Sequence, residues 1–237
     1  MRMQLDRSSL LSIVVTATCL TGCATEKPDP QVLRYTELQN DGLYTKVAPL
    51  HLYNDVPTLN DNGTVNAIIA NSAGSAEVWD LDPVSGALQW RHKNDKPVVV
   101  QYLGFPVNQA AIPQTASPGR EAPTPLKMFL LCPSIAQGVL VHTRVVGGLK
   151  VSDSTGTCTY LIGVPSGTAL DAIEDLSALE QKMPGARGLL EQWLTHYQGP
   201  NTVRLAGQLN RAQSLELLES ARASYEQRAR AKTKASS

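Results

Sequence analysis

The side chains able to do chemistry are few and scattered along the 237 residues. Four histidines, His51, His92, His142 and His196, form no HxxxH or HExxH pair, so no helical zinc site is written in the chain. No GxSxG elbow presents a serine nucleophile. Gly74-Ser75 and Gly156 read as turn residues rather than a phosphate loop. The four cysteines include no CxxC, which argues against a zinc or dithiol redox motif. Cys132 and Cys158 leave two alternatives open, a disulfide or two buried free thiols, because the sequence does not fix the roughly 7 Å Cα approach that a bridge requires. Lys and Arg together number 21, as do Asp and Glu, and a chain without basic excess is not a general nucleic-acid binder. Any site must therefore be assembled by the fold from distant residues.

The elements that would do so change period along the chain. Apolar residues make up 42% and charged residues 18%, enough for a packed core and too apolar for wholesale disorder. Short strands are expected at Val65–Ile69, Glu77–Leu81, Val98–Tyr102, Met128–Cys132, Gly138–Val151 and Thr159–Val164, with Gly147-Gly148 marking a bulge or bend. Turn signals separate them at Asp82-Pro83…Gly86, Ser117-Pro118-Gly119 and Asp153-Ser154-Thr155-Gly156. Such spacing suggests a closed barrel. In the last third, Ser177…Glu180 fits a capping box. Leu189, Leu190, Trp193, Leu194 and Tyr197 then fall at helical spacing before Gly199-Pro200. A strand over 201–209 and a helix over 214–231, with Leu215, Leu218 and Tyr225 on one side, complete the pattern.

The amino terminus reads as a targeting signal. Arg2 and Arg7 precede an uncharged run from Leu10 to Leu20, shorter than a membrane span. The run ends in Leu20-Thr21-Gly22-Cys23, which resembles the lipobox of bacterial lipoproteins. That resemblance implies cleavage before Cys23 and lipidation of its thiol. Ala24 in place of Asp implies the outer membrane, facing the periplasm. Residues 1–22 would be signal, 23–49 a lipidated tether, 50–225 the folded domain and 226–237 a polar basic tail.

Several turns of the domain resemble the soluble (family I) inorganic pyrophosphatases. Glu77-Val78-Trp79-Asp80-Leu81-Asp82-Pro83-Val84-Ser85-Gly86 is similar to their K-Y-E-x-D-x-x-T-G turn, and Ile112-Pro113-Gln114-Thr115 to the end of Y-G-F-I-P-Q-T. Pro125-Leu126-Lys127-Met128-Phe129-Leu130-Leu131 stands where they have D-G-D-P-L-D-V-L-V-L, and Gly148–Asp153 resembles G-x-L-K-M-x-D. Leu194-Thr195-His196-Tyr197 resembles F-x-H-Y-K, and Asn54-Asp55-Val56-Pro57 a segment near the start. The matches run in order over about residues 50–225. They imply an α+β fold, mainly β with flanking helices: a five-stranded OB-like barrel with two helices in the carboxyl-terminal half.

The functional positions depart from that family. Pyrophosphate hydrolysis uses divalent metals to gather the diphosphate's charge and acidify a water, and hard Mg²⁺ takes carboxylate oxygens. The family's D-x-D-x-x-D cluster aligns with Ala122, Thr124 and Lys127. In its D-x-x-x-x-D-x-K segment Asp153 remains, while Cys158 and Tyr160 take the later positions. The Lys and Glu of K-Y-E align with Val78 and Asp80, two tyrosines with Phe105 and Gln109, and an upstream Glu with Ala70. Tyr197 remains, followed by Gln198 in place of Lys. The family's arginine falls at Pro97, or at Arg91 if the gap moves.

Asp80, Asp153 and Tyr197 are thus catalytic remnants, and Arg91 and Lys127 candidate anion contacts. Lys127 equally fits a lysine snorkelling at a strand end, and Asp153 a turn cap. A nucleophilic Cys158 with His92 or His142 as base has no support in the spacing, and a packed or bridged thiol is the expected reading. The expected function is that of a lipid-anchored pyrophosphatase-like protein that has lost hydrolysis and serves as a binding or structural module. It would need no cofactor, would meet the membrane through its lipid and an envelope protein partner, and would bind no nucleic acid. Its oligomeric state is open. The alternative is a residual or altered Mg-dependent diphosphatase or phosphohydrolase, acting with Mg²⁺.

Overall fold

The computed structural model describes residues 32–33, 38–118, 124–154 and 156–235. Cys23, the proposed signal and Ala122 lie outside them. In chain order the strands are β1 (Val32–Leu33), β2 (Gln39–Asn40), β3 (Thr45–Val47), β4 (Val65–Asn71), β5 (Trp79–Leu81), β6 (Leu88–Trp90), β7 (His92–Lys93), β8 (Lys96–Pro97), β9 (Asn108–Ile112), β10 (Leu126–Leu130), β11 (Leu140–Asp153) and β12 (Gly156–Pro165). Helices α1 (Leu176–Lys182) and α2 (Ala186–His196), strand β13 (Arg204–Leu209) and helix α3 (Arg211–Ala235) follow. Among the described residues no helix is long and apolar enough to cross a membrane.

Five strands close on themselves. β4 pairs antiparallel with β9, β9 with β10, β12 with β11, and β11 with β4, while β10 and β12 run parallel. Closure removes the unpaired edge of the principal sheet. β11 is the long member, and its ends also carry β1 and β13. It turns through this many partners because its register shifts between Val145 and Gly147. This is the bend expected near Gly147-Gly148. A Cβ on Gly147 would lie 2.5 Å from Leu176 Cγ, so glycine is what allows α1 to press onto the strand. A smaller sheet, β2-β3-β6-β5, stands beside the barrel, and β7 and β8 form a short hairpin.

The alternation of β10 and the near-continuous apolar runs of β4, β11 and β12 fill the interior. One cluster gathers Phe105, Phe129, Leu149, Ile162 and the inner face of α2. Another gathers Ile112, Met128, Leu130, Leu161 and Leu218 of α3. A third joins the small sheet to the barrel through Tyr53, Ile68, Trp79 and Leu88.

Several expectations shift. Three helices are present among the described residues, because the segment after Asp175 closes a short helix of its own. Its cap is Asp175, whose carboxylate accepts from the Ala178 amide at 2.8 Å, and not Ser177. Glu180 reaches forward to the Gly185 amide instead of back. Leu189 and Leu215 lie exposed, off the buried faces of α2 and α3, because neighbouring helical positions already fill the interface. α3 continues through the expected polar tail to Ala235. Residues 98–102 form no regular strand; Val98 and Val100 bond back to Val78 and Ala76 across a single bridge. β9 was hidden because its first residues, Asn108 and Gln109, are polar yet buried.

Candidate functional site

β5 alternates, with Trp79 and Leu81 buried and Asp80 turned to a cleft between the small sheet and the barrel. Register sets Asp80 opposite Gln89 on β6, and Arg91 follows one residue past the end of that strand. The Arg91 guanidinium straddles the carboxylate, with Nε donating to Oδ2 at 2.7 Å and Nη2 to Oδ1 at 2.8 Å. Lys127, on barrel strand β10, donates from Nζ to the same Oδ1 at 2.6 Å. The side chains of Lys127, Asp80 and Arg91 are 17%, 32% and 34% exposed. Lys127 is therefore held in an ion pair across the cleft, not snorkelling. Burial alone would raise the Asp80 carboxyl, but Lys127 and Arg91 outweigh it and hold the group well below the usual carboxylate range. Burial likewise opposes charge on Arg91, and Asp80 more than restores it.

The barrel supplies the opposite wall. β10 and β12 place Lys127 beside Tyr160, and period-two alternation puts Cys158 on the same face as Tyr160. Asp153 ends β11, where its pairing with Gly156 closes the hairpin. Tyr197, at the end of α2, shares a hydrogen bond with Tyr160 and accepts another from Gln198 Nε2 at 2.6 Å. Its ring stacks on Trp193 with centroids 4.5 Å apart, and Tyr160 stacks on Phe129 at 5.0 Å. The aromatic layer thus ties the site to the core. Burial, and then the neighbouring Tyr197 hydroxyl, raise the Tyr160 phenol far above its usual range, so it acts as a neutral hydrogen-bonding group.

The resulting cavity has a volume of about 570 Å³. Asp80, Arg91, Lys127, Asp153, Cys158 and Tyr197, all singled out from sequence, line it together. So do Ala70, Gln109, Thr124, Tyr160 and Gln198, the positions where the family's functional residues would be replaced. Of Arg91 and Pro97, Arg91 lines the cleft. Val78 and Phe105 instead belong to the core. Cys132 stands apart, beside Asn108, and both it and Cys158 are free thiols, which removes the bridged alternative. Burial raises the Cys132 thiol to about 11, with the Asn108 hydrogen bond opposing.

Sequence reasoning missed the cleft's other wall, formed by Trp90, Trp79 and Gln89. Trp79 and Trp90 stack at 5.5 Å, and Lys46 Nζ sits 4.6 Å from the Trp79 ring centroid. The Trp-Asp-Leu and Leu-Gln-Trp alternation was the available signal, but only the pairing of β5 with β6 brings the two indoles together.

The donor set does not fit a Mg²⁺ centre. Of the carboxylates lining the cleft, Asp80 has both oxygens occupied by cations, and Asp82 Oδ2 accepts from the amide and hydroxyl of Ser85. Among the described residues no three His, Cys, Asp or Glu side chains converge as metal ligands. A hard divalent ion would meet an ammonium and a guanidinium here before it met a free pair of carboxylates.

A family model described as inorganic pyrophosphatase matches residues 67–226. Among solved structures, the inorganic pyrophosphatase of Thermus thermophilus is 25% identical with a TM-score of 0.63, the match covering 75% of this chain and 99% of that one. The Helicobacter pylori enzyme is 22% identical with a TM-score of 0.62, over 73% of this chain and 99% of that one. The type I enzyme of Plasmodium falciparum is 16% identical with a TM-score of 0.69, over 80% and 67%. No curated protein sequence matches the chain.

Proposed function

Because the chain belongs to the inorganic pyrophosphatase family, we propose that its cleft is a hydrolytic site turned into a binding or structural one. The observation that carries this reading is Asp80. The one acidic remnant on the small sheet is spent on Arg91 and Lys127, in a cavity whose remaining lining is mostly neutral. Metal-assisted attack on a diphosphate needs open carboxylates to fix several ions. A carboxylate neutralised by fixed cations does not supply them. What this chain's residues can do is hydrogen-bond and stack. Gln109 lines the cleft almost fully buried, with its Oε1 accepting from Asn71 at 2.7 Å. Gln89, Gln198, Tyr160 and Trp90 add neutral polar and aromatic surface.

The protein works in this reading as a lipoprotein of the bacterial envelope, held by acyl chains on Cys23 at the outer membrane and facing the periplasm. There the module meets an envelope protein partner. The Leu20-Thr21-Gly22-Cys23 sequence supports the anchor, and a stable anchor requires more than one chain.

The test is phosphate release from pyrophosphate by the mature chain with Mg²⁺, Mn²⁺ or Zn²⁺, beside an Asp153→Ala control. The expected result is a rate equal to buffer in all three metals. Turnover that disappears in the control would restore a hydrolase. The anchor is checked by metabolic labelling with a radioactive fatty acid, where Cys23→Ser should lose label and membrane association together.

A further inference from the structure

The ion cluster in the cleft joins two parts of the fold that share no strand pairing at that point. Asp80 and Arg91 come from the small sheet and its exit, and Lys127 comes from the barrel wall, 47 residues from Asp80. Resting on the reading of the cleft as non-hydrolytic, we propose that Lys127 is a resident cation. Its ammonium does the work a bound divalent ion would do, clamping the small sheet to the barrel and excluding such ions from the cleft.

Three observations carry this. The first is occupancy. Oδ1 of Asp80 takes Lys127 and Arg91 together and Oδ2 takes Arg91, so a metal would compete with both cations at Oδ1 and with Arg91 at Oδ2. The second is placement. Lys127 pairs with Ala111 on one side and Tyr160 on the other, and only 17% of its side chain is exposed, so the charge is built into the wall rather than carried on a mobile surface arm. The third is charge. Three carboxylates, Asp80, Asp82 and Asp153, line the cleft together with two permanent cations, Lys127 and Arg91. Subtracting Lys127 would leave an acidic cleft that attracts a divalent cation. With Lys127 present, an incoming ion meets like charge at close range in a partly desolvated site, where repulsion is strong. An ammonium on a four-carbon stem is a compact point charge and suits this exchange better than a planar group.

The experiment uses the full mature chain with Mn²⁺ as the probe, read by electron paramagnetic resonance, and thermal melting with chelator or with millimolar Mg²⁺. Wild type should bind no Mn²⁺ in the micromolar range and should melt at the same temperature in chelator and in Mg²⁺. Lys127→Met should melt lower. Lys127→Asp should bind Mn²⁺ at least ~10-fold tighter than wild type, with a melting temperature that rises as Mn²⁺ is added, as ligand linkage requires.

Micromolar Mn²⁺ binding by wild type, or a melting temperature raised by Mg²⁺, would overturn the proposal. So would a folded Lys127→Asp protein binding no tighter than Lys127→Met. If Lys127→Asp does not fold, the wild-type titration and the melting of Lys127→Met still decide, since a Lys127→Met protein as stable as wild type removes the clamp. Phosphate release is followed in the same samples. Turnover sinks the non-hydrolytic reading, whereas Mn²⁺ binding without turnover sinks only the role given to Lys127.

Discussion

At Asp80 two opposing effects meet, and their balance decides what the cleft can do. Burial penalises the carboxylate, while Lys127 and Arg91 favour it more strongly. The folded-state pKa is therefore depressed below the unfolded value of about 3.9. A depressed acid contributes stability that is fully present above the unfolded pKa and drains away as pH falls towards the folded one. The clamp should contribute fully at neutral pH and lose its contribution progressively as pH falls through about 4 and below. Asp80→Asn leaves Lys127 and Arg91 facing a neutral amide, and should cost about 1–3 kcal/mol at pH 7, read by urea unfolding. The same variant should lose stability less steeply than wild type below pH 4, because the titrating group is gone. Cys132 offers a second test. Its thiol is pushed up to about 11 by burial, so alkylation of the native protein at pH 8 should be far slower at Cys132 than in urea. Equal rates in both states would show that the packing around Asn108 is not as described. Tyr197, Asp153 and Arg91 could be found by spacing and resemblance, whereas the ion pair that unites Arg91 with Lys127 could not. It depends on strand register between segments tens of residues apart.

Among the elements, α1 and α2 show how little of a helix boundary is visible locally. Ser177 and Glu180 have the right spacing for a capping box, yet the chain starts the helix two residues earlier, from Asp175. A carboxylate cap competes well with a hydroxyl for the free amides and suits the positive end of the helix dipole. Asp175→Ala should therefore cost about 1 kcal/mol in unfolding free energy, and Ser177→Ala a few tenths at most. The reverse order would return the cap to Ser177. α2 was legible from Leu190, Trp193 and Leu194, which are buried and carry the aromatic layer under Tyr197. β9 was not legible, since hydrophobic periodicity assigns polar residues to the surface. Asn108 shows why that rule fails here. Its Oδ1 accepts from the amides of Ala73 and Ile135 and its Nδ2 donates to Pro133 carbonyl, so a buried side chain stands in for turn backbone.

For the molecule as a whole, a closed five-stranded barrel can accept changed residues in its cleft because its hydrophobic core is built mostly from other side chains. The clusters around Phe129, Leu161 and Leu149 do not include Asp80, Lys127 or Asp153. The turn wording that revealed the fold belongs to this structural layer. Of the substituted positions, Ala70, Asp80, Gln109, Thr124, Lys127, Cys158, Tyr160 and Gln198 line the cleft, while Val78 and Phe105 lie in the core. The proposed anchor, envelope location and partner rest on residues outside the described fold and are tested by labelling and fractionation. The central claim is that the cleft keeps the shape of a hydrolase without its reaction. The most direct measurement is a single-turnover assay with protein in excess of radiolabelled pyrophosphate and with Mg²⁺ present. The account predicts no phosphate above the buffer control over hours. Phosphate formed in proportion to protein, and abolished by Asp153→Ala, would contradict it.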